Sequence, residues 1–82
     1  MPPSPPVSDA TREFGERVRA RRKELGWSQE TLAQTAGMHW SHLSHIERGQ
    51  RNLSLHAVLR IADSLQVEPG YLLNGLPVPV DE

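Results

Sequence analysis

Apolar residues recur along this chain at intervals of three and four, the spacing that places them on one face of an α-helix. In the first part of the chain, Phe14, Val18 and Leu25 fall on a single helical stripe. A second stripe consists of Leu55, Val58, Leu59, Ala62 and Leu65. No segment shows the apolar–polar alternation of a half-buried β-strand. The pattern therefore predicts an all-α protein.

Capping residues divide this pattern into five short helices. Short polar side chains accept hydrogen bonds from the free N–H groups of a first helical turn, and glycine commonly follows a last turn. Both kinds of residue stand at the ends of the apolar stripes. The predicted helices run from Ser8 or Asp9 to Leu25, from Ser28 to Gly37, over roughly residues 39–48, over 55–65 after the cap Ser54, and from Pro69 to near Leu73. We expect a compact five-helix bundle.

The two ends of the chain differ in composition from the middle. Residues 1–8, MPPSPPVS, contain four prolines and little to bury, which predicts a disordered tail. Residues 75–82, GLPVPVDE, alternate proline with apolar residues and cannot form a helix. Residues 9–74 therefore make up one predicted domain.

The length and composition restrict the class of protein. A chain of 82 residues suits a single small domain with a limited core. Cysteine is absent, which excludes disulfides and thiolate metal sites. No apolar run approaches the roughly 20 residues that span a bilayer, and no signal-peptide pattern opens the chain. We expect a soluble, cytoplasmic protein, for which association between subunits is the natural source of added stability.

The net charge of −1 conceals an uneven distribution. All nine basic residues lie between Arg12 and Arg60, where five glutamates oppose them and leave a local net charge of +4. The flanks carry the other five acidic residues. The local field, rather than the total charge, is what a polyanion meets. A nucleic-acid partner is therefore compatible with the charge, as is an ordinary mixed-charge surface.

The segment at residues 29–48, QETLAQTAGMHWSHLSHIER, predicts two helices joined by a tight turn. Gly37 can adopt the positive φ angle that such a turn requires, and the small side chain of Ala33 permits a close approach of the two helices. The remaining apolar residues fall on the facing sides: Leu32, Ala36, Met38, Leu43 and Ile46. A helix-turn-helix unit and a generic α-helical hairpin both meet these requirements.

The outer face of the third helix favours the first alternative. If the direction between Leu43 and Ile46 points inward, the outward residues are Ser41, Ser44, His45 and Arg48, with Trp40 and His42 on the flanks. None of these is anionic, and their side chains can bond base edges or contact a thymine methyl group. Trp40 has two interpretations, a base or sugar contact and a lid folded back over the core.

Arg22 and Glu47 are predicted to form an ion pair. Arg22 lies close to the apolar stripe of the first helix, and Glu47 lies toward the inner side of the third. Since burying a charge is costly unless it is paired, the two groups are expected to meet and to join these helices.

The chain from about residue 12 to residue 73 resembles the Xre family of helix-turn-helix regulators, which includes the phage Cro and lambda-type repressors. The segments that carry the resemblance are RVRARRKELGWSQETLAQTAG, IERG at 46–49, RNLSL at 51–55 and RIADSLQV at 60–67. The resemblance implies a five-helix fold, an Arg–Glu pair at Arg22 and Glu47, and transcription regulation through DNA binding. Three positions depart from the family pattern: His39 replaces a Ser or Thr cap, Leu53 a proline and Gln66 a glycine.

The resemblance also implies roles for individual residues. The DNA bases would be read by Trp40, Ser41 and His45, with His39 and Ser44 nearby. Gln29 would contact the DNA backbone where the second helix meets it. Further contacts to phosphates are expected from Ser28, Arg48, Arg51, Asn52 and Ser54, because helix N-termini and basic side chains favour anions.

A module of this size reads only a few base pairs, so we expect a homodimer on a palindromic operator. Helix 5 and the segment after it carry more apolar residues than so short an end can bury alone. The expected dimer surface consists of Tyr71, Leu72, Leu73, Leu76, Val78 and Val80. The predicted partners are double-stranded DNA, with nucleoid association when bound, and a second copy of the chain, without a membrane or an evident small-molecule ligand.

Other functions are less well supported. A metal-responsive regulator is suggested by His39, His42 and His45, but helical geometry keeps these three from converging on one ion. An antitoxin or another protein-interaction module of the same fold stays open. An enzyme is not expected, because the chain lacks a phosphate-binding glycine loop and a nucleophile elbow. Neither a cofactor nor a metal is predicted, and the operator and the sense of regulation stay open.

Overall fold

The structure, a computed structural model, describes residues 4–80. It contains five α-helices and, in that range, no β-strand. The helices are α1 (Asp9–Glu24), α2 (Gln29–Ala36), α3 (Trp40–Glu47), α4 (Leu55–Ser64) and α5 (Pro69–Leu73). The predicted all-α, five-helix architecture is confirmed, and the predicted helix limits agree with the observed ones to within a residue or two.

The helices begin at the capping residues that the sequence indicates. The Ser8 hydroxyl accepts a hydrogen bond from the Thr11 N–H, and the Thr11 hydroxyl accepts one from the Ser8 N–H, which closes a capping box. The Ser28 and Ser54 hydroxyls cap α2 and α4 by accepting from the N–H groups of Thr31 and Ala57, without a reciprocal bond to close a capping box. His39 also serves as a cap, because its Nδ1 accepts from the Ser41 N–H at 3.1 Å. The departure from Ser or Thr at position 39 thus leaves the start of α3 intact.

The helices surround one apolar core. Helix α1 packs against α3 and α5, α2 packs against α3 and α4, and α4 packs against α5. The buried apolar side chains are Phe14, Val18, Leu32, Ala33, Ala36, Leu43, Ile46, Val58, Ile61, Ala62, Leu65 and Leu72. Every helix contributes to this list, so α3 is held from several sides.

The predicted buried stripe of α4 is partly wrong. Ile61 is fully buried, whereas Leu55 is 69% exposed and Leu59 is 43% exposed. The apolar side chains of α4 cover a wider arc than its neighbours can bury, and α2 and α5 cover the part of the arc that contains Val58, Ile61 and Leu65. Leu55 and Leu59 remain on the surface.

Helices α1 and α3 come into close backbone contact at Gly15. A Cβ atom placed on Gly15 would lie 2.6 Å from the carbonyl oxygen of Glu47, and it would also collide with the carbonyl oxygen of Ile46. Both atoms belong to the backbone of α3 and cannot rotate away. The close approach of the two helices therefore requires glycine at this position.

The segment before α1 is attached to the end of α3. The Val7 N–H donates to the carbonyl oxygen of Gly49 at 2.8 Å, and the Thr11 hydroxyl donates to the same oxygen at 2.8 Å. The Gln50 side chain donates to the carbonyl oxygen of Ser4 at 2.8 Å. Residues 4–8 thus contact the bundle, which their composition did not indicate. Residues 1–3 and 81–82, where the two tail predictions continue, lie outside the described range.

Two further features concern the chain after α4. Gln66 adopts a φ angle of +60°, and it does so without the glycine typical of the family at this position. A left-handed conformation costs a residue with a side chain about 1–2 kcal/mol. Beyond α5, Leu76 is half-buried against the core, whereas Val78 and Val80 are exposed.

From residue 4 to residue 80, none of the helices has the length and apolar character needed to cross a bilayer.

Candidate nucleic-acid interface

Helices α2 and α3 form the tight two-helix unit that the sequence predicts. Gly37 follows α2 with a φ angle of +69°, and the Met38 N–H donates to the carbonyl oxygen of Ala33 at 2.9 Å. The left-handed glycine reverses the chain within three residues, from Gly37 to His39. Leu32, Ala33 and Ala36 of α2 and Leu43 and Ile46 of α3 are buried, so the other face of α3 is left outside the core.

Trp40 stands at the exposed start of α3. Half of its surface is accessible, and its ring stacks on the His39 ring with centroids 6.0 Å apart and an angle of 28° between the planes. A lid over the core would be buried, so this geometry excludes the second interpretation of Trp40. The indole and the imidazole form one exposed aromatic surface, and His42 is exposed beside it.

The predicted outward orientation of Ser44 is wrong. Ser44 is only 7% exposed, and its hydroxyl accepts a hydrogen bond from Arg48 Nη2 at 2.6 Å. The buried face of α3 extends to Ser44 and Glu47, beyond the face centred between Leu43 and Ile46. The reason is that α1 packs against that side of the helix. Ser44 therefore holds Arg48 in place rather than facing outward.

Ser41 and His45 are linked one helical turn apart. His45 Nδ1 lies 2.6 Å from the carbonyl oxygen of Ser41, and both residues are half-buried. This contact fixes the orientation of the imidazole ring against the helix. The outer face of α3 is thus formed by Trp40, Ser41, His42, His45 and Arg48.

The predicted ion pair is present in the structure. Arg22 Nε lies 2.7 Å from Glu47 Oε2, and Arg22 Nη2 lies 3.0 Å from Glu47 Oε1, so the contact is bidentate. The two side chains are 10% and 2% exposed. Arg22 Nη1 also donates to the carbonyl oxygen of Trp27 at 2.7 Å. The pair connects α1, α3 and the turn before α2.

Gln29 joins the same network, which the sequence reasoning missed. Its Nε2 donates to Glu47 Oε1 at 3.1 Å. Glu47 is the only acidic residue of α3, so its complete engagement leaves no free carboxylate on the outer face of that helix. Gln29 stands at the first turn of α2, where α2 meets the end of α3, and this position is the feature of the sequence that could have indicated the contact.

The candidate phosphate-binding residues lie on both sides of α3. Ser28 and Gln29 are at the N-terminus of α2. Arg51 and Asn52 are exposed in the loop between α3 and α4, and Ser54 caps the N-terminus of α4. Among residues 4–80, the Arg51 guanidinium bonds only the neighbouring carbonyl oxygen of Gln50, at 3.1 Å through Nη1, so it retains donors for an anion.

Residues 18–72 match the helix-turn-helix family, and this range spans α2, the turn and α3. The match covers more than half of the chain. The chain belongs to this family.

Relatives of this helix-turn-helix chain include known transcriptional regulators. The control protein C.BamHI from Bacillus amyloliquefaciens is 42% identical over 62 residues, which are 74% of this chain and 76% of the relative. The restriction–modification controller C.AhdI from Aeromonas hydrophila superimposes with a TM-score of 0.74 at 45% identity, over 76% of this chain and 94% of that one. The family is one of regulators rather than enzymes, as the sequence predicted.

A third relative was solved together with DNA. The c2 repressor of Salmonella phage P22, in complex with a synthetic operator, superimposes with a TM-score of 0.71 at 37% identity. The superposition covers 76% of this chain and 94% of that one.

The helix-turn-helix domain buries part of the predicted dimer surface. Leu72 is fully buried in the core, so its assignment to the surface is wrong. The α5 helix presents Leu72 inward, with Tyr71 and Leu73 on either side of it at 52% and 40% exposure. Leu76 is half-buried and lines an apolar cavity of about 130 Å³ together with Leu73.

The histidines of this domain do not assemble a metal site. Within the described part of the chain, no group of three or more His, Cys, Asp or Glu side chains has the geometry to hold a metal ion. His39 is occupied as the cap of α3, and His45 is bound to the Ser41 carbonyl oxygen. The geometry gives no support to the metal-responsive alternative.

Proposed function

We propose that this protein binds a specific double-stranded DNA sequence through α3 and regulates transcription as a homodimer on a palindromic operator. The observation that carries the proposal is the outer face of α3, which is accessible, polar and aromatic, and free of anionic groups because Glu47 is buried. A DNA major groove is about 12 Å wide and accepts a single α-helix. Trp40, Ser41 and His45 are the proposed base-reading residues, with His39 beside them.

The phosphates are proposed to lie against the two ends of this surface. The N–H groups of the first turn of α2 point away from the helix and carry a partial positive charge, and Ser28 and Gln29 stand at that turn. Arg48, Arg51 and Asn52 lie at the other end of α3. Contacts to both strands would fix the register of α3 in the groove.

The direct test is selection of bound sequences from a random DNA pool at constant salt. We expect a palindromic sequence with half-sites about 10 base pairs apart, or a multiple of that spacing, because two-fold related recognition helices enter successive turns of the groove. The relatives regulate different systems, so the operator has to come from this selection. Recovery of sequences without a common motif would contradict the proposal.

Arg51 provides a test of the phosphate contacts. Each phosphate neutralised by a cation adds about 0.9 to the negative slope of log K against log salt concentration. Arg51→Ala is expected to weaken binding about equally for all sequences and to reduce this slope by about one. The measurement is fluorescence anisotropy with the selected operator from about 50 to 200 mM salt.

Arg12→Ala is the matched control for this measurement. Arg12 is already paired with Asp9 and Glu16, at 3.6 Å and 2.6 Å. Its removal is expected to leave the salt slope unchanged. An equal effect of the two substitutions would show that general charge, and not a contact of Arg51, is responsible.

The dimer is proposed to form through α5 and the adjoining face of α4. Tyr71 and Leu73 are exposed on α5, Leu55 and Leu59 are exposed on α4, and these two helices pack against each other. A group of large, exposed apolar side chains on neighbouring helices marks a protein interaction surface more often than a surface that stays in contact with solvent.

Tyr71→Glu is therefore expected to raise the dissociation constant of the dimer at least tenfold, because a carboxylate that is buried without a partner disfavours association. Sedimentation equilibrium from about 1 to 100 μM measures this shift. Gln34→Glu adds the same charge at an exposed position of α2 and should leave the dimer intact. A wild-type protein that stays monomeric throughout would overturn the homodimer proposal without affecting DNA binding by one subunit.

A further inference from the structure

We propose that His45 acts as a hydrogen-bond acceptor toward DNA, and that it selects an adenine or a cytosine, the bases whose exocyclic amino group donates in the major groove, at the position it faces. The inference rests on the proposed function and specifies one element of its sequence preference. It derives from the contact between His45 and the Ser41 backbone.

The contact determines which ring nitrogen carries the proton. His45 Nδ1 lies 2.6 Å from the carbonyl oxygen of Ser41. A carbonyl oxygen can only accept a hydrogen bond, so Nδ1 must be the donor. In a neutral imidazole the other nitrogen then carries a lone pair. His45 Nε2 is therefore an acceptor in the neutral ring.

The same contact directs Nε2 away from the helix. The two nitrogens lie on opposite sides of the ring, and Nδ1 points back toward the preceding turn. No donor within residues 4–80 bonds Nε2, and the nearby guanidinium of Arg48 is held by the Ser44 hydroxyl and carbonyl oxygens. His45 is half-buried, which limits its rotation and fixes this acceptor before DNA arrives.

The chemistry of the groove then restricts the partner. Among major-groove base edges, only the adenine N6 and cytosine N4 amino groups donate hydrogen bonds, whereas guanine N7 and O6 and thymine O4 accept them. An acceptor facing another acceptor leaves both groups without a partner. We expect His45 to favour an adenine or a cytosine at one position of each half-site by about tenfold.

The DNA test uses base analogues that lack the amino group, purine for adenine and pyrimidin-2-one for cytosine. Each adenine and cytosine of the selected operator half-site is replaced in turn, and affinities are measured for the wild type and for His45→Ala at about pH 8.5, where imidazoles are generally neutral. At one position we expect the analogue to weaken the wild type about tenfold and to leave His45→Ala unaffected. His45→Gln, whose side-chain oxygen can accept, should restore the sensitivity.

Three results separate this inference from the proposed function. Equal sensitivity of the wild type and His45→Ala at every position overturns the inference while specific binding stands. A dependence on guanine N7, detected with 7-deazaguanine and lost in His45→Ala, also overturns it, because the ring would then be donating. Absence of any sequence preference in the wild type contradicts the proposed function itself.

A second measurement needs no DNA. The ¹⁵N chemical shifts of the imidazole nitrogens distinguish a protonated from an unprotonated nitrogen in the free protein. We expect His45 to show protonated Nδ1 and unprotonated Nε2. His42 and His56, which make no such contact to a carbonyl oxygen in the described part of the chain, serve as internal comparisons. The opposite tautomer of His45 would overturn the inference independently of the binding result.

Discussion

Glu47→Ala is expected to lower the free energy of unfolding by about 3–5 kcal/mol, the typical cost of removing one partner from a buried ion pair. The substitution leaves the Arg22 guanidinium buried with two donors unsatisfied, since across the described residues Nε and Nη2 bond only the carboxylate. It also removes the acceptor of Gln29. Small domains have a total stability of only about 5–15 kcal/mol, so this loss is a large fraction of it. Urea denaturation followed by circular dichroism measures it.

Two comparisons identify the cause. Glu16→Ala breaks the exposed pair with Arg12 and should cost less than about 1 kcal/mol. The double substitution Arg22→Met with Glu47→Leu removes both charges and should recover much of the stability lost in Glu47→Ala, because apolar side chains of similar volume often replace a buried pair without penalty. A Glu47→Ala protein as stable as Glu16→Ala would show that the buried pair contributes little.

Gly15→Ala is expected to destabilise the protein by about 2 kcal/mol, within the range of overpacked cores. Alanine favours a helix over glycine by about 1 kcal/mol, so propensity alone predicts the opposite sign. The new methyl group would lie 2.6 Å from the Glu47 carbonyl oxygen, nearer than Cβ atoms approach in proteins. Helices α1 and α3 must then separate, which also disturbs the Arg22–Glu47 contact. DNA affinity should fall together with stability.

Gly70→Ala is the matched control, because Gly70 also lies within a helix. A Cβ atom there meets only the end of the Asn74 side chain, at 3.3 Å, and that side chain can rotate. This substitution should leave the stability unchanged or raise it by up to about 1 kcal/mol. If Gly15→Ala behaved in the same way as Gly70→Ala, the close approach of α1 and α3 would have no energetic consequence.

These substitutions act on the position of α3 rather than on the residues that face the groove. Arg22, Gly15 and the Val7–Gly49 contact all fix the end of α3 against α1 and the segment before it. A recognition helix must be placed to within a fraction of an ångström for its side chains to meet base edges. Stability and DNA binding are therefore expected to be coupled in this protein.

Much of the fold followed from local features of the sequence. Five helices, their caps at Ser8, Ser28 and Ser54, and the turn at Gly37 depend on residues no more than four positions apart, and such short-range rules do not require knowledge of the tertiary structure. The Arg22–Glu47 pair could also be predicted, because both residues lie near the apolar side of a helix and each is costly to bury alone.

The side chains at the margins of the apolar faces could not be assigned in this way. Ser44 was expected outside and is buried, Leu72 was expected at a dimer surface and is in the core, and Ile61 takes the buried place expected for Leu55 and Leu59. On α4 and α5 the apolar arc is wider than the buried arc, whereas on α3 the buried arc extends beyond the apolar residues to Ser44 and Glu47. The position of the neighbouring helix determines which part of each helix surface is covered.

Sequence patterns alone thus specified the helices, their order and the ion pair between Arg22 and Glu47. The packing of the bundle, in contrast, sets the limits of the accessible face of α3, brings Gln29 to Glu47 and joins residues 4–8 to the end of α3. The physical reason is range: caps and helical periodicity act within one or two turns, whereas these contacts join residues 18 or more positions apart whose distance is set by the packing of the whole bundle.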